Sequence, residues 1–190
     1  MAAIMSLSGA IPSYATESGT STTSYSLTFD NETDGGEFTG SGWAVADGAY
    51  KATAVWSPVQ LTKVLPLDKD ITVSFDFYME YNGNWTDSLL GFGFMNADKS
   101  QGTFGWLRRN EEYGDLLTWT KDSLGGPFNG YVGDQIVRTL DQVNAGNTVF
   151  GRVHHVDITL LNGNMTVSVD DVLMSCTSGA SLTCDITEGY

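Results

Sequence analysis

Apolar and polar residues alternate with unusual regularity between residues 150 and 174. Val156, Ile158 and Leu160 alternate with His155, Asp157 and Thr159, and Met165, Val167 and Val169 alternate with Asn164, Thr166 and Ser168. A period of two predicts strands with one buried and one accessible face. Asn162-Gly163 between the two runs is a strong hairpin signal, because a type I′ turn needs positive φ at both central residues. Asp170-Asp171 predicts a further turn before Val172-Leu173-Met174. The longest regular run covers residues 71–81. There Ile71, Val73, Phe75, Phe77, Met79 and Tyr81 oppose Thr72, Ser74, Asp76, Tyr78 and Glu80. A long strand with one clean apolar face belongs to a sheet packed on another sheet.

Shorter runs fill in the rest. Tyr25, Leu27 and Phe29 open the domain as one strand, and Asp47-Gly48 turns the chain between two more. Residues 89–95, 103–109 and 116–121 predict three further strands, while 125–146 is a Gly-rich stretch with no clear period. Helical i, i+3, i+4 patterning is absent beyond a turn or two. The fold class expected is all-β, a two-sheet antiparallel β-sandwich of roughly a dozen strands.

Composition narrows the function classes. A chain of 190 residues with 22 Gly and 12% aromatic residues is large enough for one well-packed β domain. A net charge of −14 with nine Lys and Arg argues against nucleic acid, which needs a basic patch, and against an anionic membrane surface. No run reaches the ~20 apolar residues of a membrane-spanning helix. Residues 1–15 combine a short apolar run, Pro12, and the small residues Ser13 and Ala15 of a cleavage site, but no Lys or Arg precedes Lys51. They are expected to be a truncated signal-peptide remnant, with an apolar N-terminal arm as the alternative. Residues 16–24, rich in Ser and Thr, predict a linker to a domain over 25–190. The localisation that follows is secreted or cell-surface. Cys176 and Cys184, the only cysteines, are expected to close a disulfide loop, and no His or Cys near them has zinc-ligand spacing.

The hairpin at Asn162-Gly163 with its acidic turn, and Trp43 followed by the Asp47-Gly48 hairpin near the start, resemble laminin-G-like domains of the concanavalin A-like lectin/glucanase superfamily. The resemblance covers residues 25 onwards and implies a jelly-roll sandwich that binds carbohydrate, as one module of a larger multidomain protein. It also implies a last strand paired with the first, so the chain is expected to stop before that strand and leave an edge unpaired.

Glucanases of that superfamily carry Glu-x-Asp-x-x-Glu on one strand, and this chain has no such motif. Asp76 and Glu80 share a face but stand ~13 Å apart along the strand. Hydrolysis needs carboxyls about 5.5 Å apart when retaining and about 6.5–9.5 Å when inverting. A cross-strand pair such as Glu80 with Asp157 stays open. Adjacent His154 and His155 point to opposite faces and so are expected to be one packed and one solvated.

Sugars are bound by flat aromatic rings against their C–H faces and by planar polar groups on hydroxyl pairs. Trp85 in the polar loop 82–87, and Trp106 with Arg108 on one strand face, are the candidate ligand-binding residues, with Tyr78 and Glu80 in support. Trp43 and Trp56 are expected in the core. The resemblance also raises a structural calcium ion, for which Asp30, Asn31, Asp34 and Asp170 would supply hard oxygen ligands. Binding of a polysaccharide or glycan without cleavage is the leading expectation. A glycoside hydrolase or lyase of the same fold, and an adhesin or spacer domain with protein partners, are the alternatives.

Overall fold

The computed structural model describes residues 3–6, 27, 29–53, 59–79, 88–98, 100–110, 114–121, 138–139, 153–174 and 182–190. Two antiparallel sheets face each other across one apolar core. With strands numbered along the chain, the larger sheet runs β14 (Val172–Leu173), β13 (Asn164–Val169), β12 (Val153–Leu161), β7 (Ile71–Met79), β1 (Ala3–Ser6), β4 (Ala49–Ala52) and β3 (Trp43–Ala46). A short β15 (Leu182–Thr183) also pairs with β13. The smaller sheet runs β11 (Arg138–Thr139), β10 (Gly114–Lys121), β9 (Gly102–Asn110) and β8 (Ser88–Met95). Two short ribbons complete the described strands: β2 (Phe38–Gly40) on β5 (Val59–Leu61), and β16 (Glu188–Gly189) on β6 (Leu65–Pro66).

The alternation read from the sequence maps directly onto burial. Strand β12 is buried at every second position, and β13 likewise, so Val156, Ile158, Leu160, Met165, Val167 and Val169 enter the core. The turn between them has φ 50° at Asn162 and 78° at Gly163, as its residue types require. Phe75 and Phe77 of β7 meet Leu90 and Phe94 of β8 in the same core, and the Phe75 and Phe92 rings cross at 5.1 Å in an edge-to-face pair. A second cluster holds Leu27, Phe29 and Tyr50, with Phe38 and Tyr50 stacked at 4.8 Å. Trp43, half-buried, packs against both clusters, so its expected core role holds. Trp56 lies outside the described residues.

Residues 31–36, a polar stretch, contain most of a 3-10 helix, Glu32–Glu37. Its first turn is closed by the Asp34 N–H donating to the Asn31 carbonyl at 3.0 Å. Ala3–Ser6, expected within a leader remnant, is hydrogen-bonded as β1 between β7 and β4. A short apolar run reads the same in a leader and in a buried strand, so periodicity does not separate them. Near the end of the described residues β16 is paired with β6. Gly189 lies opposite Leu65, and Tyr190 and Met95 exchange backbone hydrogen bonds of 2.9 and 3.3 Å. Gly189 sits closely there: a Cβ would stand 2.6 Å from Leu67 Cδ1 and 3.2 Å from the Met95 carbonyl oxygen, so a larger residue would have to displace the Leu67 side chain.

Candidate binding face

The polar sides of β7 and β12 build one surface on the outer face of the larger sheet. Antiparallel register sets Tyr78 opposite Val153, Asp76 opposite His155, Ser74 opposite Asp157 and Thr72 opposite Thr159. Directly opposed residues bring their Cβ atoms to about 4.5–5.5 Å, so each pair touches, and successive pairs repeat about every 6.8 Å along the strands. On β13 the series continues, with Ser168 opposite Asp157 and Thr166 opposite Thr159.

At the centre stands His155. Its Nδ1 lies 2.6 Å from Asp76 Oδ1 and its Nε2 lies 3.3 Å from Asp157 Oδ1. Carboxylate oxygens only accept, so both ring nitrogens donate and the imidazolium is the form this geometry fits. Burial works to lower the imidazole pKa, but the Asp76 hydrogen bond and the charges of Asp157 and Asp76 outweigh it and hold the pKa above the ordinary histidine value. Ser74 Oγ donates to the same Asp157 oxygen at 2.5 Å, and the Thr72 and Thr159 hydroxyls share a bond of 3.1 Å. The His155 side chain is 41% exposed and those of Asp76 and Asp157 are 23% and 33% exposed. The cluster is therefore open to solvent. Beside it, half-buried Tyr78 and Val153, 62% exposed, put an aromatic ring and a bare aliphatic group next to the charged row.

His154, one residue earlier, points the other way. It is fully buried, stacks on Phe77 at 5.1 Å between ring centres, and donates Nδ1–H to Asp170 Oδ2 at 2.8 Å. The other Asp170 oxygen accepts the His155 backbone N–H at 3.0 Å. The expectation of one packed and one solvated histidine holds.

The structure describes the expected site residues in part. Tyr78 belongs to the face just described. Glu80 and Trp85 lie outside the described residues. The backbone positions of Trp106 and Arg108 are in β9 of the other sheet, Trp106 between Gly91 and Thr118, Arg108 between Leu89 and Leu116. Among the described residues, Asp76 is the carboxylate that stands across His155 from Asp157. As for calcium, Asp30 is exposed, the Asp34 carboxylate accepts the Asn31 N–H at 3.5 Å, and Asp170 is engaged by the histidines at the far end of the β12–β13 hairpin. Among the described residues no three acidic, His or Cys side chains gather to hold a metal ion. Cys184 is half-buried with Sγ 3.7 Å from the Ile186 carbonyl oxygen, and Cys176 is outside the described residues.

Chemically, the face offers acceptors and hydroxyls beside an apolar ring. Here an imidazole ring fills the space between Asp76 and Asp157. The His155–Asp157 half of the cluster was legible as an i, i+2 pair on one face. Asp76, 79 residues from His155, was not.

No protein-family model matches the chain, and no curated protein matches it in sequence. In three dimensions it is similar to the carbohydrate-binding module CBM66 from Bacillus subtilis, with a TM-score of 0.55 over 80% of this chain and 83% of that one, at 16% identity. The likeness is one of fold: the chain is an all-β antiparallel sandwich, and the resemblance does not single out the laminin-G-like group.

Proposed function

We propose that this chain is a secreted carbohydrate-binding module of the concanavalin A-like kind, which holds a polysaccharide without cleaving it. The observation that carries the reading is the juxtaposition, on the outer sheet face, of half-buried Tyr78 and exposed Val153 with the Asp76–His155–Asp157 row. A sugar ring has apolar C–H faces and a rim of hydroxyls, so an aromatic ring beside fixed planar acceptors matches both. Similarity of fold to a structure described as a carbohydrate-binding module supports the same reading. The imidazole between the two carboxylates favours binding over hydrolysis, because it occupies the space that the scissile bond and its water would need.

A glycan array followed by calorimetry tests this on wild type, Tyr78→Ala and Trp106→Ala. By analogy with bases stacking on aromatic rings, losing a platform is worth about 1–2 kcal/mol, so Tyr78→Ala is expected to weaken binding roughly ten-fold. An equal loss in Trp106→Ala alone would move the site to the smaller sheet. Reducing sugar released from a bound glycan would establish an enzyme instead, and an array with no bound glycan would overturn the proposal.

A further inference from the structure

We infer that the outer face of the larger sheet selects uncharged, hydroxyl-bearing glycans and rejects carboxylated ones, because the imidazolium at its centre is spent between two carboxylates. This rests on the carbohydrate-binding reading above and adds the ligand's charge class. Both N–H groups of His155 are directed at acceptors, Asp76 on β7 and Asp157 on its own strand, while its backbone N–H goes to Asp170 beyond β13. The ring therefore offers no donor to an incoming anion. Ser74 gives its proton to Asp157, and Thr72 and Thr159 bond each other. One further described cation belongs to the same face. Lys51 of β4 shares a register row with Tyr78 through Ile4, and its Nζ is held by Asp47 at 2.6 Å. A ligand approaching Tyr78 thus meets carboxylate acceptors beside an aromatic ring. Sugar hydroxyls donate to such acceptors, whereas a uronate is repelled by them.

His155 couples this selectivity to pH. Below its raised pKa the imidazolium holds the two carboxylates in one fixed row. Above it, one ring nitrogen becomes a bare acceptor facing a carboxylate, and the row carries one more net negative charge. Grip on a neutral glycan is then expected to weaken, and rejection of a uronate to deepen.

The probes are xyloglucan, galactomannan, amylose and mixed-linkage β-glucan, each beside its C6-oxidised uronate form, which keeps the backbone. Affinity electrophoresis and calorimetry of the wild-type protein are expected to show binding to a neutral member and at least about ten-fold weaker binding to its oxidised counterpart. Screening should narrow that gap in 0.5 M salt, where the Debye length falls to about 4 Å. Asp157→Asn should narrow it at low salt, because one of the charges that repels the oxidised form is removed. Equal or tighter binding of an oxidised form by wild type overturns the inference and leaves the carbohydrate reading intact. Neutral-glycan affinity that is unchanged in Tyr78→Ala also overturns it, since the ligand then sits elsewhere. If no polysaccharide of either series binds, the carbohydrate reading falls and this inference falls with it.

Discussion

His154 and His155 are neighbours in sequence and opposites in setting. The first is sealed in the core against Phe77, with one nitrogen on Asp170 and the other without a hydrogen-bond partner among the described residues. The second lies on the open face with both nitrogens engaged by carboxylates. The same contrast runs along the whole hairpin. Inward residues such as Ile158 and Val167 gain by leaving water, while outward Thr159 and Asp157 act through paired hydrogen bonds. One face of the larger sheet holds the fold together, and the other is free to carry a ligand at little cost to stability. That division is what lets a sandwich change its surface without changing its core.

The comparison breaks most sharply by substitution on either side of one strand. Ile158→Ala is expected to destabilise by about 2–5 kcal/mol, the range for emptying a core site, whereas Thr159→Ala next to it should cost about 1 kcal/mol or less. Chemical denaturation of both variants checks the difference, and similar losses would mean the two faces are not divided as described. Asp170→Asn tests the link between them. It replaces the carboxylate that serves both His154 and the His155 backbone while keeping a residue type that tolerates φ of 50°. A loss of about 1–3 kcal/mol is expected from the weakened buried partner, read from the denaturant midpoint.

The smallest effect concerns pH. The pKa of His155 is raised in the folded state, so its contribution to stability is complete below the unfolded value of about 6.5 and is lost as pH rises through the folded value. Wild type should therefore lose a little stability on passing from about pH 6 towards pH 9, and His155→Gln should flatten that slope. An identical slope in both proteins would mean that the imidazole bridge contributes nothing to stability.

Much of the frame was legible in residue order. Strand Ile71–Met79 and the hairpin at Asn162-Gly163 follow from alternation and turn chemistry that involve neighbours only. Of the candidate face, Tyr78 was named from the sequence on a polar strand face, while His155 was read only as a solvated histidine. Trp106 and Arg108 were picked for residue type, which carries no information about which sheet a strand joins, and their strand lies across the sandwich from Tyr78. The early residues Ala3–Ser6 pair as β1, which four residues have too short a period to declare.

What the order of residues determined by itself is which side of each strand faces the core, because successive side chains of a strand point to opposite faces whatever lies beside it. What only the tertiary structure decided is register. Asp76 meets His155, and Ser74 meets Asp157, because β7 and β12 are locked row by row by Phe75 and Phe77 against Val156 and His154 on the opposite face. A slip of one residue would turn the apolar set to water, so burial on the inner face selects the alignment that assembles the polar row on the outer one.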